Sequence, residues 1–150
     1  MSASTPPPAQ TPTKIELLEL LAALGMAQWR DFSAAAVHHG LTGTQAKVLS
    51  QLGRGPLPMR ALAERLVCDA SNITGIVDRL EDQGLVRREP SPTDRRVKNV
   101  VATDKGRETL LRVRTEMQAT HSALDTLDPA ETETLFALLN RLRPSMERTA

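Results

Sequence analysis

LAERLVCDASNITGIVDRLEDQGLV at residues 62 to 86, followed by RREPSPTDRRVKNVVAT at 87 to 103, decides the fold of this 150-residue chain. Leu62 and Leu66, then Ile73, Ile76, Val77 and Leu80, recur at the spacing of two helices that each bury one face. Beyond Leu85 the beat changes. Val86 and Arg88, then Val97, Asn99 and Val101, alternate on either side of a Pro-Ser-Pro-Thr-Asp cluster, which predicts a hairpin. Helix, tight turn, helix, hairpin is the order of a winged helix-turn-helix.

The second of these helices is expected to begin at Ala70 or Ser71 and to end near Gln83, with Gly84 closing it. Its polar side carries Ser71, Asn72, Thr74, Gly75, Asp78 and Arg79. Short donors and acceptors at a helix start suit base edges in a DNA major groove, and Gly75 permits close approach of the backbone. Each has a plainer alternative. Ser71 and Asn72 are also favoured in a helix cap and first turn, and Arg79 could pair with Asp78 or Asp82.

The hairpin brings the charge that the helix lacks. Between Leu85 and Thr103 stand Arg87, Arg88, Arg95, Arg96 and Lys98 against Glu89 and Asp94, on a chain whose net charge is +1. Arg95 and Arg96 fall at the tip, where a guanidinium can enter a narrow minor groove while Asp94 folds back to hold Arg96. A near-neutral chain lacks the strongly basic footprint of many DNA binders. Distribution answers part of this: residues 1–53 carry three charges of each sign and 104–150 carry seven basic against eight acidic, so the surplus belongs to the wing.

LAERL at 62 to 66, SNITGIVDRLEDQGLV at 71 to 86, DRR at 94 to 96 and TDKG at 103 to 106 together resemble the DNA-binding core of the MarR family of bacterial transcriptional regulators. The resemblance implies an obligate homodimer, helical apart from the wing, that binds pseudo-palindromic operators in double-stranded DNA and is often released by a small molecule or an oxidant. The fold class expected is therefore mainly α: a winged helix-turn-helix core of three helices and a two-stranded wing, flanked by N- and C-terminal helices that form a dimerisation domain.

The rest of the chain divides accordingly. Residues 1–12, rich in proline and small polar residues, read as a disordered tail without the features of a signal peptide. A long first helix occupies 13–40, with Thr13 as N-cap or Pro12 at an early position, Glu16 completing a capping box, and a stripe from Ile15 through Leu24 and Phe32 to Ala36. The winged core spans 41–103. Its second helix is expected from Thr44, which caps it, to Leu52, and its third from Pro58, with Arg60 in the first turn near a phosphate or simply solvated. Residues 104–150 supply a fifth helix from Thr103 to about Thr126, with Leu110, Val113, Met117, His121 and Leu124 as one seam. A sixth begins at Asp128-Pro129. These terminal stripes exceed what a winged motif can cover, so a second copy is expected to interlock with them and to set the two reading helices roughly 34 to 36 Å apart.

The candidate DNA contacts are Thr44, Arg60, Ser71, Asn72, Thr74, Gly75, Arg79, Arg88, Arg95 and Arg96, with Asp94 as support for the wing. The family pattern places an effector between the dimerisation helices and the core, which implicates Trp29, Phe32, His38, Val48 and Met117, with His39 nearby; each is equally an ordinary core residue. A single cysteine, Cys68, fits a reducing cytoplasm and reads as a structural thiol. His38, His39 and His121 are too few and too scattered for a metal site, and no cofactor is expected. No run of 18 apolar residues suggests a membrane span. No grouping of catalytic residues is recognisable, so an enzyme is not expected. Two other readings stay open: a winged protein-interaction module without DNA binding, and a redox-responsive regulator using Cys68.

Overall fold

The computed structural model describes residues 11–147, so most of the expected tail over 1–12 lies outside the described residues. Helix α1 runs Lys14–His38 and starts where its cap predicts: the Glu16 amide donates to Thr13 Oγ1 at 3.2 Å and the Thr13 amide to Glu16 Oε2 at 2.8 Å. Two of the four amides a helix start leaves without partners are thereby satisfied. Helix α2, Gly43–Leu52, uses the same device two residues earlier than Thr44 suggests. Thr42 is its cap, because Gln45 stands three residues on and its side chain accepts from the Thr42 amide at 2.8 Å. Gly43 is required there, since a Cβ would lie 2.3 Å from Ser33 Oγ on α1.

After α2 come β1 (Leu57–Pro58), α3 (Met59–Leu66), α4 (Ala70–Asp82), β2 (Val86–Pro90) and β3 (Lys98–Ala102). Pro58 is thus the residue before α3 and not its first. It lies in a short strand whose Leu57 is paired with Val100, so the two-stranded wing gains a third strand in the order β1-β3-β2. Val67, at φ 51°, makes the left-handed turn from α3 toward α4. Leu49, Leu62, Ile73, Val77, Leu80, Val86, Val100 and Val113 have their side chains fully buried in one cluster that joins α2, α3, α4, the sheet and helix α5 (Asp104–Thr115). Each such burial stabilises by about 1.5–3 kcal/mol, so this shared core, more than any surface contact, fixes α4 on its scaffold.

Helix α5, Asp104–Thr115, is seated by the TDKG segment. Thr103 Oγ1 accepts from the Gly106 amide at 3.1 Å and donates to the Gly84 carbonyl at 2.7 Å. A Cβ on Gly106 would sit 2.1 Å from the Leu85 carbonyl oxygen, so glycine is what lets the helix approach the strand. The single fifth helix expected to reach Thr126 is broken: α5 stops at Thr115 and α6 runs Gln118–Leu124. The cause is tertiary. Met117 turns into the core, the Thr120 amide near the start of α6 donates to Asp31 Oδ2 on α1 at 2.8 Å, and His121 Nε2 lies 2.8 Å from the Arg114 carbonyl. The expected seam is divided with it. Leu110, Val113 and Met117 are core, whereas His121 and Leu124 are exposed.

Helix α7, Pro129–Glu147, opens on a reciprocal pair of bonds between Asp128 and Glu131 at 2.9 Å each. Its Leu135, Phe136, Leu138, Leu139 and Leu142 are exposed, as are Ile15, Leu18 and Leu24 at the start of α1. Among the described residues no helix is long and apolar enough to cross a membrane.

Candidate nucleic-acid interface

Helix α4 divides cleanly. Ile73, Ile76, Val77 and Leu80 are buried, while Ser71, Asn72, Thr74, Gly75, Asp78 and Arg79 are exposed together on the other side. Asp69 is the N-cap and makes no side-chain capping bond, so Ser71 is a first-turn residue and not the cap. Thr74 Oγ1 donates to the Ala70 carbonyl at 2.9 Å. Arg79 forms no ion pair among the described residues, which leaves its guanidinium available. Space around Gly75 is open, with nothing within 4 Å of where a Cβ would stand.

The wing tip is a built turn. The Ser91 amide donates to the Val97 carbonyl at 2.8 Å, the Val97 amide to the Asp94 carbonyl at 3.0 Å, and the Arg96 amide to Asp94 Oδ1 at 2.9 Å. Asp94 therefore supports Arg96 through its backbone, an Asx-type turn, and leaves the guanidinium unspent. Arg95 and Arg96 are exposed and form no ion pair among the described residues.

Arg88, expected among the DNA contacts, is committed elsewhere. Its Nη2 donates to Asp78 Oδ1 at 2.6 Å, its Nη1 pairs with Glu81 Oε2, and its backbone amide donates to Glu81 Oε1 at 3.0 Å. The Asp78 hydrogen bond is the main cause of a guanidinium pKa raised above its ordinary value. A forked, charge-assisted contact of this kind fixes geometry as well as charge, so Arg88 braces β2 against α4. Arg87 pairs with Glu89 in the same strand. Arg60 is tied to Glu64 one turn along α3, Nε to Oε1 at 2.8 Å, and the bond raises its pKa. Thr44 is half-buried in the first turn of α2.

The residues suggested for an effector are mostly core. Phe32, Val48 and Met117 are buried, and Trp29 packs on Phe32 at a centroid distance of 6.0 Å with Lys47 Nζ 5.3 Å from its ring. His38 and His39 converge on one carboxylate, Glu116, which no local spacing in the chain points to. Glu116 Oε2 is 3.5 Å from His38 Nδ1, and its Oε1 is 3.1 Å from His39 Nε2, the latter outside hydrogen-bonding alignment. No grouping of three or more metal-binding side chains occurs among the described residues. Cys68 is half-buried against the core and its Sγ donates to the Leu66 carbonyl at 3.3 Å.

A family model described as MarR family matches residues 39–97, which run from the end of α1 through α2, α3, α4 and β2 to the wing tip and stop before β3. The HTH-type transcriptional regulator MhqR of Bacillus subtilis is 39% identical over 69 residues, 45% of this chain and 48% of that one. The chain's match therefore spans about half of that relative's length. The HTH-type transcriptional regulator YkoM of the same organism is 33% identical over 109 residues, covering 69% of this chain and 68% of its own. Among solved structures, CouR of Rhodococcus jostii bound to p-coumaroyl-CoA aligns with a TM-score of 0.68 at 28% identity, over 88% of this chain and 90% of that one.

Proposed function

Because the chain belongs to the MarR family of transcriptional regulators, we propose that it acts as a homodimer on a pseudo-palindromic operator, with α4 in the major groove and the wing in the adjacent minor groove. One observation carries this reading: an unobstructed polar face on α4 stands braced, through Arg88, to a hairpin whose tip holds two arginines that form no ion pair among the described residues. In this assignment Ser71, Asn72, Thr74 and Arg79 meet base edges, Gly75 lets the backbone come close, and Arg95 and Arg96 neutralise phosphates or enter the minor groove. Thr44 and Arg60 take flanking phosphates, and Arg60 must first part from Glu64. Arg88 becomes a positioning residue.

The exposed apolar faces of α1 and α7 support pairing with a second copy. Phe136 is 70% exposed and Ile15 68%, and apolar surface left to water on that scale is a usual mark of an interface. Twofold pairing places the two α4 helices on half-sites about 10 base pairs apart. The relative solved with p-coumaroyl-CoA bound supports a small-molecule response in this chain as well. Such a ligand would lie beside Trp29 and His38 and displace Phe32, Val48 and Met117 from their present packing. Release then follows from differential affinity for two dimer geometries, and repression of a cytoplasmic promoter is the simplest output.

Genomic fragments selected on the purified full chain, followed by fluorescence anisotropy and light scattering, test the whole reading. Saturable binding of one dimer to an inverted repeat is expected. A chain that stays monomeric at micromolar concentration, or that retards no fragment at low salt, is instead an interaction module.

A further inference from the structure

The turn Gly53-Arg54-Gly55-Pro56 belongs neither to the buried core cluster nor to the α4 face and wing tip described above. Gly55 has φ +135°, a backbone conformation that side-chain-bearing residues rarely adopt, and the turn forms one wall of a cleft of about 920 Å³. The C-terminal end of α3 and the last turn of α5 form the others. Three arginines from these three separate elements line it: Arg54, Arg65 and Arg114.

None of the three has an ion pair or a side-chain hydrogen bond among the described residues, whereas Arg60, Arg87, Arg88, Arg107 and Arg112 all do. The one carboxylate in the lining, Glu64, is already held by Arg60 Nε at 2.8 Å. Like charges gathered along a concave wall repel one another and focus a positive potential into the space between them. Guanidinium forks match the oxygens of phosphate and carboxylate groups in pairs, which a point charge cannot do. Gln51 and the apolar Leu57 complete a lining that has polar and apolar parts, as an organic anion needs.

We propose that this cleft binds a small polyanion, a molecule carrying phosphate or paired carboxylate groups, through Arg54, Arg65 and Arg114. Its position gives such a ligand leverage. Arg65 directly precedes Leu66 and the left-handed Val67 that leads into α4, and the Arg114 carbonyl is the group on which His121 fixes the joint between α5 and α6. An anion drawing the two arginines together therefore couples the reading head to the helices that carry the dimer. The cleft includes none of Trp29, Phe32, His38, Val48 or Met117, so it is separate from the effector region suggested above.

The test uses the full chain, isotopically labelled for arginine Nε–Hε NMR, with inorganic pyrophosphate titrated at constant ionic strength. Saturable shifts are expected at Arg54, Arg65 and Arg114, with Arg95 and Arg96 of the wing as an internal control for diffuse charge attraction. Arg114→Gln and, separately, Arg54→Gln in the exposed turn should each weaken pyrophosphate binding about tenfold, the scale of one charge-assisted pair. Uniform, unsaturating shifts in wing and cleft alike, or two folded variants that bind pyrophosphate as the wild type does, would overturn the proposal.

The phosphate could come from a free molecule or from the DNA backbone, and a salt titration on operator DNA without pyrophosphate separates the sources. An unchanged salt slope in Arg114→Gln assigns the site to a free anion, whereas a slope lowered by about 1 assigns it to a DNA phosphate. The NMR readout needs no DNA, so it stands or falls apart from the operator-binding reading.

Discussion

Arg88 on β2 donates from Nη2 to Asp78 Oδ1 in the middle of α4 at 2.6 Å, and this bond joins the two parts of the chain that the proposed function brings to adjacent grooves. Arg88→Ala would leave Asp78 and Glu81 without their cation and free the strand from the helix. Hydrogen bonds to charged groups contribute about 1.5–3 kcal/mol, and solvent screening of the half-exposed acids reduces this, so a loss of about 1–2 kcal/mol is expected in urea denaturation. Operator affinity should fall with it. Arg88→Lys keeps the charge but not the fork, and we predict only partial recovery. Complete recovery by lysine would mean that charge alone matters and that the fixed geometry does not.

At the wing tip, the Asp94 carboxylate holds the Arg96 amide and not its guanidinium, so replacing the side chain leaves the turn intact. Arg96→Ala is expected to weaken operator binding with no change in the circular dichroism melt. If the guanidinium neutralises one phosphate, the slope of log affinity against log salt drops by about 0.9. Anisotropy across a potassium chloride series measures it, and parallel lines for wild type and variant would remove Arg96 from the interface.

What was legible in the sequence is what is local. The α4 stripe, the Thr13–Glu16 box, the Asp128–Glu131 start and the TDKG seat all depend on residues within a few positions of each other. The cap of α2 is equally local, since Thr42 with Gln45 three residues on is a capping box of the same kind, and Thr44 merely competes with it as a cap residue. The other misplacements share a longer range. The strand at Leu57–Pro58 exists because Val100 lies opposite, 43 positions away. The break between α5 and α6 is set by Asp31, 89 positions from Thr120, and no periodicity within residues 104–126 carries that information. Arg88 looked like a free wing cation for the same reason, since Asp78 and Glu81 meet it only after the hairpin folds back.

That long-range cap has a pH signature. The Asp31 pKa is lowered, chiefly by the Thr120 hydrogen bond and less by its backbone neighbours and His121. A depressed carboxylate contributes its stabilisation fully above the unfolded value of about 3.9 and loses it as pH falls through the lower folded value. Asp31→Ala should therefore be less stable than wild type near neutrality, by about 0.5–2 kcal/mol as for other helix caps, and the difference should close below about pH 3.9. Urea midpoints at a series of pH values give the comparison; a gap that persists undiminished into acid would show that packing at position 31, not the carboxylate, holds α6.

Two glycines within helices offer opposite outcomes for the same substitution. At Gly106 an added Cβ would meet the Leu85 carbonyl at 2.1 Å, so Gly106→Ala must push α5 from the strand, at a cost of about 1–3 kcal/mol that exceeds the gain in helix propensity. At Gly75 nothing lies within 4 Å, and alanine should stabilise the exposed α4 interior by about 0.5–1 kcal/mol. The same methyl group would stand between α4 and a base edge. Gly75→Ala is thus expected to raise the thermal midpoint while weakening operator binding, a combination that a merely structural glycine cannot produce. Should the variant gain stability and bind its operator as tightly as wild type, the backbone at residue 75 does not approach DNA, and the docking of α4 would have to be turned so that Asn72 and Arg79 read the groove without it.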